Sequence, residues 1–248
     1  MKITIVTCVF NRVATIAGAM DSVRVQTYPN IEHIVIDGGS TDGTLQMIQD
    51  RAHAGLQIHS GPDRGIYDAL NKGIELATGE VIGLVHSDDW LAHDGVIAEV
   101  AAAFRGGAHA VYGDLHYVSA LDPGKVVRHW TAGVFRRTAL RWGWMPPHPT
   151  LFVRRTDLIA AGGYDIHYRI SADYDLVLKM FTRPGFCATY IPDVLVKMRL
   201  GGVSNGSLRQ VLRKSGEDYR ILRAHGVGGW LSLVAKNIRK LSQFRGRP

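Results

Sequence analysis

Short apolar runs alternate with amphipathic stretches through the first part of the chain. The runs have the length of buried strands, and they cover residues 3–10, 31–36, 56–59 and 80–85. The stretches between them repeat apolar residues at helical spacing, and they predict helices at 14–26, 44–53 and 66–77. Strands and helices in alternation predict an α/β fold, in which a mostly parallel central sheet is flanked by helices on both faces (α/β/α).

The second half of the chain follows a less regular pattern. Its apolar runs predict strands at 108–112, 126–131, 151–154, 186–190 and 194–199. Helical spacing recurs at 96–104, 156–161, 172–180 and 204–223. Residues 142–149 are expected to be non-helical because they contain three prolines, each of which biases the residue before it toward extended geometry.

Two adjacent carboxylates, Asp88 and Asp89, follow the apolar run 81–85. Open α/β sheets bind their ligands at the carboxyl ends of the strands. Neighbouring carboxylates repel each other, and a hard divalent ion that carries a phosphorylated substrate would hold them together. The alternative is that one of the two caps the next helix, which is expected to begin between residues 92 and 95.

The charge of the chain is unevenly distributed. The 248 residues carry a formal net charge of +7, and 46% of them are hydrophobic, which is ordinary for a globular protein. Basic residues outnumber acidic ones in residues 209–247. The net charge therefore indicates an anionic partner, such as nucleotide phosphates, an acidic membrane surface or nucleic acid.

A final amphipathic segment covers residues 227–244. Its apolar stripe consists of Val227, Trp230, Leu231, Val234, Ile238 and Leu241. The basic residues of the opposite side are Lys236, Arg239 and Lys240. This pattern is typical of a helix that lies in a membrane interface, and equally of a surface helix whose stripe packs against the protein itself.

The two cysteines and the lengths of the apolar runs indicate the cellular compartment of the protein. Cys8 and Cys187 show neither metal-ligand spacing nor a disulfide framework, which favours a reducing compartment. The apolar run at residues 3–6 is too short for a signal peptide, and no apolar stretch reaches the ~18 residues of a membrane span. We therefore expect a cytoplasmic protein, and residues 227–248 allow peripheral attachment to the inner face of the cytoplasmic membrane.

Four motifs of the chain occur together in one known family. Residues 34–44 read IVIDGGSTDGT, residues 63–73 read DRGIYDALNKG, residues 86–89 read HSDD and residues 171–176 read SADYDL. In this order and spacing the chain resembles the inverting glycosyltransferases of family 2, which have the GT-A fold. The resemblance covers about residues 1–202, and it is closest to bacterial transferases of polysaccharide and glycolipid synthesis.

The resemblance implies an organisation and an activity. A transferase domain would cover residues 1–202, with a nucleotide-binding half at 1–114 and an acceptor half at 115–202, and a basic helical extension would cover 203–248. The enzyme would move a sugar from a UDP- or GDP-sugar to a hydroxyl of a glycan or lipid-linked acceptor. Mg²⁺ or Mn²⁺ would be its cofactor.

The family also implies residues that bind the nucleotide. Thr7, Phe10 and Asn11, at the end of the first strand, would form a slot for the base. Asp37, at the end of the second strand, would accept an N–H of a uracil or guanine ring. For Thr7 the alternative is a buried strand residue.

The motif at residues 63–73, here called the helix motif, adds Asp63, Arg64 and Asn71 as candidates for nucleotide binding. Asp63 alternatively caps the following helix, and Arg64 alternatively forms an exposed salt bridge. The chain departs from the family at Gly38, where many members have a second aspartate. The nucleotide contacts would therefore rest more on Asp37.

The acidic motifs supply the chemistry that the resemblance implies. Asp88 would hold the ribose or an ion-bound water, and Asp89 would hold the metal ion. Asp173 would be the general base, because inversion by direct displacement needs a group that removes the proton of the acceptor hydroxyl. Asp173 is otherwise a charge in the first turn of a helix, and Asp175 is the second choice. His86 stands where many members have Asp or Asn, and it is either a metal ligand or a structural histidine.

Trp142, Trp144 and His148 belong to the proline-rich segment before Asp173. They are candidates for the donor-sugar or acceptor pocket because tryptophan faces suit sugar rings. Core packing is the alternative for at least one of the tryptophans. Arg199 would reach the pyrophosphate, and the glycines at 201–202 would let the segment after it move as a lid.

Two other functions fit parts of the pattern. A sugar-nucleotide nucleotidyltransferase shares the sheet and the acidic metal site, but it would normally have a glycine-rich loop after the first strand, and residues 8–12 contain no glycine. A basic nucleic-acid-binding protein fits the net charge, but no nucleic-acid module is recognisable, so we expect no nucleic-acid partner. The sequence leaves the oligomeric state open.

Overall fold

The computed structural model describes residues 1–200 and 208–242 of the chain. Its first strands are β1 (Ile3–Val9), β2 (Ile31–Asp37), β3 (Leu56–Ser60) and β4 (Val81–Leu84). They are parallel and pair in the order β3-β2-β1-β4. Every residue of β1 is buried, which agrees with its continuous apolar run, because strands inside a parallel sheet are covered on both faces.

The helices between these strands are α1 (Ile16–Arg24), α2 (Thr44–Gln49) and α3 (Ile66–Leu76). Successive side chains of a strand point to opposite faces of the sheet. On one face Val9 belongs to the same apolar cluster as Ile16 of α1 and Ile48 of α2. On the other face Val6 clusters with Leu70 of α3. Helices therefore cover both faces, and the predicted α/β/α arrangement is confirmed.

The rest of the sheet is mixed in direction. Its strands are β5 (Asp89–Leu91), β6 (Ala110–Val118), β7 (Val126–Trp130), β8 (Phe152–Arg154) and β9 (Ala188–Arg199). The strand order over the described residues is β3-β2-β1-β4-β8-β6-β9-β5, and β7 pairs with β6. β8 is antiparallel to β4 and β6, whereas β6 and β9 are parallel. The helices of this half are α4 (Val96–Phe104), α5 (Arg155–Ala160) and α6 (Ala172–Phe181).

Residues 186–199 differ from the prediction of two strands. β9 is one strand, and it stays paired with β6 through shifts in register next to Asp114. These irregularities absorb the interruption at Pro192, the proline between the two apolar runs. β6 continues to Val118, beyond the predicted end of this strand at residue 112.

Residues 142–149 are not fully extended either. Short 3-10 turns occupy Arg137–Trp142 and His148–Thr150. Pro149 is tolerated there because it lies in the first turn, where its missing N–H has no partner to lose. The sequence pattern does not predict β5, a short strand that pairs with the distant β9.

Two further helices, α7 (Leu208–Ala224) and α8 (Trp230–Ser242), end the described chain. The apolar stripe of α8 faces outward: Trp230 is 67% exposed, Leu231 74% and Ile238 59%. Lys236, from the side predicted to be polar, is buried against Asp218. The alternative in which the stripe packs against the protein is therefore wrong for these residues, because the buried ion pair decides which face turns inward.

Parts of three predictions lie outside the described residues: the lid at 201–202, the start of the helix at 204–223 and the end of the segment at 227–244. Within the described ranges, no helix combines the length and the apolar character that crossing a membrane requires.

Candidate active site

The loop after β2 is built on Asp37. This carboxylate is fully buried; its Oδ2 accepts a hydrogen bond from the Ser60 hydroxyl at 2.6 Å, and both oxygens accept the Ser40 N–H at 3.2 Å. Because burial closes the carboxylate off, it offers no open oxygen to a nucleotide base. The predicted contact is corrected: Asp37 shapes the loop instead of facing a ligand.

Asn11 joins the first strand to the same loop. Its φ of 50° lies in the left-handed region, which asparagine tolerates better than most residues. Its Oδ1 accepts the Thr41 N–H at 2.9 Å, and its own N–H donates to the Ser40 hydroxyl at 2.8 Å. Asn11 thereby holds the loop against the end of β1.

Thr7, predicted to line the base slot, is a residue of the sheet interior. Its side chain is fully buried, and its Oγ1 lies 3.0 Å from Nε2 of His33 on β2. Burial, and then the neighbouring His53, lower the pKa of His33 to about 3, so this imidazole is neutral near pH 7. The prediction for Thr7 is wrong, and its alternative as a buried strand residue is correct.

Phe10, Gly38 and Asp63 meet at one place after the first three strands, here called the base slot. Phe10 is 57% exposed. A Cβ placed on Gly38 would lie 2.5 Å from Oδ2 of Asp63 and 3.4 Å from Cδ2 of Phe10, so the three residues border one space. Oδ1 of Asp63 accepts the Gly65 N–H at 2.8 Å, just ahead of α3. An exposed ring beside a carboxylate offers what a nucleotide base needs, namely a stacking face and a hydrogen-bond acceptor.

Two residues of the helix motif have structural partners. The Arg64 side chain is 73% exposed and pairs with Asp68, with Nε 3.0 Å from Oδ1, which is the exposed salt bridge of the alternative prediction. Asn71 forms two hydrogen bonds with the backbone of Tyr164, each 2.8 Å long. Its amide ties α3 to the loop before α6, and its role in nucleotide binding stays a prediction.

A cleft of about 500 Å³ lies between α3 and the loop 162–167. Acidic and basic side chains line it together, among them Asp68, Lys72, Asp165 and Lys179. Its charges pair with each other, as in the ion pair between Lys72 and Asp68 at 3.6 Å. None of the acidic candidates at 88, 89 and 173 lines this cleft, but Tyr164 does.

Asp88 and Asp89 follow β4, as predicted, in two different environments. Asp89 begins β5 and is 1% exposed, whereas Asp88 is half-buried. Oδ1 of Asp89 accepts the Arg199 N–H at 3.3 Å, and its Oδ2 has no hydrogen-bond partner in the described part of the chain. Burial, and then the charge of Asp88, raise the pKa of Asp89 well above its usual value. Neither carboxylate caps the next helix, since α4 begins after Gly95 without a side-chain cap.

The unpartnered oxygen of Asp89 fits a bound cation. A buried carboxylate oxygen without a donor is costly unless an ion or a proton compensates its charge. Among the described residues, His86, Asp88 and Asp89 do not bring three ligand atoms within 4.8 Å of one another. A hard divalent ion held by the two carboxylates would therefore take its other ligands from water and substrate phosphates, as Mg²⁺ commonly does.

Asp173 lies in the first turn of α6, after Ser171, as predicted. Its charge acts on the pKa values of surrounding side chains that include Tyr67, His86, His148 and Tyr164. The charge of Asp88 acts on the pKa of His86 as well. The fold thus brings the candidate base and the candidate metal ligands to the same histidine, although they are far apart in the sequence.

The side chains around Asp173 contact one another. Nε2 of His148 lies 2.8 Å from the Tyr164 hydroxyl, and the His148 ring stacks on His86 with 6.2 Å between centroids. The ring of Tyr67 stacks on Tyr164 at 5.6 Å. Burial, and then His148, lower the pKa of His86 to about 4, so it is neutral near pH 7. Sequence reasoning selected His148 but missed both tyrosines; the one signal was that Tyr67 belongs to the motif at 63–73.

The two tryptophans of residues 142–149 have different surroundings. Trp144 is 5% exposed, donates from Nε1 to the Ala132 carbonyl at 2.9 Å and packs against Phe135 and Phe181. It is a core residue, so its predicted place in a sugar pocket is wrong. Trp142 is 59% exposed and remains a candidate for a sugar-binding surface.

Arg199 ends β9 beside the acidic pair. Besides its backbone bond to Asp89, its guanidinium donates to the Ala120 carbonyl at 3.0 Å and lies 5.4 Å from the centre of the Trp90 ring. Its Nε is buried and has no hydrogen-bond partner in the described ranges. The charge of Arg199 acts on the pKa of Asp89, and its role at the pyrophosphate stays a prediction.

Comparison with known proteins gives the site a context. The family model for Glycosyl transferase family 2 matches residues 4–167. A PGL/p-HBAD biosynthesis glycosyltransferase of Mycobacterium bovis is 32% identical to the chain over 214 residues. That match covers 79% of this chain and 76% of the relative.

Two solved structures share the architecture. S. aureus TarS 1-349, in complex with UDP-GlcNAc, has a TM-score of 0.71 at 17% identity, and the match covers 92% of this chain and 66% of TarS. The mannosyltransferase PcManGT from Pyrobaculum calidifontis, in complex with GDP-Man and Mn²⁺, has a TM-score of 0.69 at 19% identity, over 98% of this chain and 70% of PcManGT. The chain thus has the GT-A fold that its motifs imply, and it spans just under two thirds of the TarS chain.

Proposed function

The chain belongs to glycosyl transferase family 2, and we propose that it transfers a sugar from a nucleoside diphosphate sugar to a hydroxyl group with inversion at the anomeric carbon. The observation that carries this proposal is the stack of the His86 ring on His148, with 6.2 Å between centroids, which joins the segment of Asp88 and Asp89 to the side chains around Asp173. A cation-binding pair and a proton acceptor then lie at one edge of the sheet. The pair would hold the leaving group, and the acceptor would activate the incoming hydroxyl.

Asp173 is the proposed general base. It would take the proton of the acceptor hydroxyl as the hydroxyl oxygen bonds to the anomeric carbon and the bond to the diphosphate oxygen breaks. A single displacement of this kind inverts the anomeric configuration. The first turn of α6 suits the role, because a helix N-terminus favours the negative charge that a base carries.

Asp88 and Asp89 are the proposed ligands of Mg²⁺ or Mn²⁺. An ion held there would neutralise the charge that grows on the diphosphate as it leaves. Arg199, bonded through its backbone to Asp89, would add positive charge at the same place. The Mn²⁺ in the PcManGT complex supports a divalent ion in this chain by likeness of fold.

The slot between Phe10, Gly38 and Asp63 is proposed for the base of the donor. The Phe10 ring offers a stacking face, and Oδ2 of Asp63 offers an acceptor for the ring N–H that uracil and guanine share. UDP- and GDP-sugars are therefore the proposed donors. The UDP-GlcNAc bound to TarS and the GDP-Man bound to PcManGT support this choice.

The proposed acceptor is a hydroxyl of a glycan or of a lipid-linked intermediate in cell-surface polysaccharide or glycolipid synthesis. The mycobacterial relative, which is named for PGL/p-HBAD biosynthesis, supports it. We further propose that residues 1–114 bind the nucleotide, residues 115–202 bind the acceptor and the segment from 203 is a helical extension. The motifs at 34–44, 63–73 and 86–89 support the first of these assignments.

The outer surface of α7 and α8 is the proposed contact with an anionic membrane. Its exposed apolar residues, here called the C-terminal face, are Val211, Leu212, Trp230, Leu231, Val234 and Ile238. Arginines at 213, 220 and 223 are exposed on the same helices, whereas the acidic Glu217 and Asp218 are buried. The described surface of both helices therefore presents no acidic side chain, which suits the anionic inner face of the cytoplasmic membrane.

A donor panel tests the transferase proposal. The protein is incubated with UDP- and GDP-sugars, Mn²⁺ and a hydroxyl acceptor, and the released nucleoside diphosphate is measured while NMR reports the anomeric configuration of the product. We expect release with one class of donor, its loss in EDTA, and its loss in Asp173→Asn although the donor still raises the Tm of that variant. Release of pyrophosphate from a nucleoside triphosphate and a sugar phosphate would instead indicate a nucleotidyltransferase.

A further inference from the structure

We infer that α7 and α8 position the helix that carries Asp173, with Glu217 as the main positioning residue. The inference rests on the proposed role of Asp173 as the base. It concerns residues beyond 167, where the family match ends, so it comes from the contacts of this chain.

Glu217 binds the backbone directly ahead of α6. Its carboxylate is 3% exposed and accepts the N–H groups of Arg169 at 3.2 Å and of Ile170 and Ser171 at 3.0 Å each. Hydrogen bonds to a charged acceptor are about twice as strong as neutral ones. Because one carboxylate holds consecutive residues, the backbone before Asp173 cannot shift without breaking these bonds.

Lys236 of α8 contacts the residue after Asp173. Its ammonium lies 2.8 Å from Oδ2 of Asp218 and 3.2 Å from the centre of the Tyr174 ring, and all three side chains are buried. Burial, which Asp218 opposes, lowers the pKa of Lys236 to about 8, so the ammonium is charged at pH 7. A buried pair of this kind is strongly destabilised when one partner is lost, so α8 is firmly attached to α7 and α6.

A third contact reaches the next residue of the helix. Nε2 of His225, just after α7, lies 2.8 Å from Oδ1 of Asp175, and Lys179 lies 2.8 Å from Oδ2. The contacts from the C-terminal helices thus reach residues 169–171, 174 and 175, on both sides of Asp173. None of these hydrogen bonds and ion pairs involves the Asp173 carboxylate, which is the geometry of a support.

Displacement reactions depend steeply on geometry: a misplacement of about 1 Å costs about 100-fold in rate. Loosening the turn before α6 should therefore lower kcat. Donor affinity should not change, because the proposed donor contacts at Phe10, Asp63 and Asp88 belong to other elements.

The test compares Glu217→Gln with Glu32→Gln. Glu32 is a matched control because it is also 3% exposed and also accepts a backbone N–H, from Thr78 at 2.8 Å, but it belongs to the start of β2. We expect Glu217→Gln to lower kcat by about 10- to 100-fold with donor KM and nucleotide affinity unchanged. Glu32→Gln should lower Tm and leave the kcat of the folded enzyme unchanged.

Asp173→Asn is measured in parallel so that two failures can be told apart. If Asp173→Asn is fully active, the assignment of the base fails, whatever Glu217 does. If Asp173→Asn is inactive and Glu217→Gln keeps the wild-type kcat below its Tm, the positioning inference is overturned. Should Glu217→Gln not fold, Lys236→Met and Lys236→Arg replace it: arginine keeps a charge beside Asp218 and should retain the kcat that methionine loses, and equal kcat values would overturn the inference.

Discussion

A side chain on Gly38 and the carboxylate of Asp63 would occupy the same space. A Cβ built on Gly38 would lie 2.5 Å from Oδ2 of Asp63, well inside van der Waals contact. Gly38 follows β2 and Asp63 follows β3, so the two residues lie in loops that follow neighbouring strands. Many members of the family have a second aspartate at the place of Gly38. This chain brings a carboxylate to that place from the next strand.

A swap of the two positions should test this relationship. Gly38→Asp forces two carboxylates together, and overpacking typically costs about 1–3 kcal/mol, so the Tm and the donor affinity of this variant should both fall. Gly38→Asp/Asp63→Ala should recover donor binding, because it keeps one carboxylate in the slot. Isothermal calorimetry with UDP and GDP measures the affinity.

Gly18→Asp is the control for the swap, since a Cβ on Gly18 meets nothing within 4 Å. It should leave the donor affinity unchanged. If Asp63→Ala alone binds both nucleotides as well as the wild type does, Asp63 has no part in the base slot.

The unpartnered oxygen of Asp89 predicts a response to metal. In EDTA, Asp89→Asn should be at least as stable as the wild type, because it removes a buried acid whose Oδ2 has no hydrogen-bond partner. Mn²⁺ at 100 times its Kd should stabilise the wild type by about 2.7 kcal/mol and leave Asp89→Asn unaffected. Thermal unfolding with and without Mn²⁺ measures both effects, with the exposed Asp94→Asn as control. The same response to Mn²⁺ in both proteins would place the ion elsewhere.

Glu32 predicts a pH dependence of stability. Burial by itself raises its pKa, but hydrogen bonds from Lys2, Thr4 and Thr78 lower it to about 2. An acid with a lower pKa in the folded state stabilises the fold above its unfolded pKa of about 4.3 and loses that contribution as the pH falls. The advantage of the wild type over Glu32→Gln in urea unfolding should therefore shrink from about pH 5 toward pH 2. A constant difference over this range would contradict the assignment.

The C-terminal face predicts binding to anionic vesicles. Burial of a large apolar side chain is worth about 1.5–3 kcal/mol, so Trp230→Ser/Leu231→Ser should weaken binding to phosphatidylglycerol vesicles by at least about 10-fold. Leu121→Ser is the matched control, because Leu121 is 97% exposed but lies between β6 and β7. Vesicle flotation measures the bound fraction.

Pure phosphatidylcholine vesicles separate the charge contribution from the apolar one. Each basic side chain near an anionic surface adds about 1 kcal/mol, so the wild type should bind these neutral vesicles much more weakly. Equal binding of the wild type and the double serine variant to phosphatidylglycerol would exclude the C-terminal face as the contact.

The spacing of apolar residues along the sequence by itself determined the half of the fold in which strands and helices alternate. β1, β2 and β4 lie within a few residues of their predicted positions, because local patterns decide which side of an element can be buried. Asp88, Asp89 and Asp173 could be selected from the sequence for a similar reason: each stands in a short motif at the end or the start of an element.

Contacts between distant residues decided which candidates could face a ligand. The Thr7 hydroxyl is hydrogen-bonded to His33, and the Asn71 amide is hydrogen-bonded to the backbone of Tyr164. The Trp144 ring packs in the core. A threonine, an amide or an indole suits a ligand and a structural bond equally well. The residue type therefore leaves both uses open until the partner is known.

The last helix shows the physical reason for this limit. Its periodicity correctly predicts two unlike faces, but Lys236 turns inward because Asp218 on α7 compensates its buried charge, and Trp230 and Leu231 remain at the surface. The sequence determines that an amphipathic helix has two sides. Which side meets the protein depends on the partners that the neighbouring helices present, and only the tertiary structure brings those partners together.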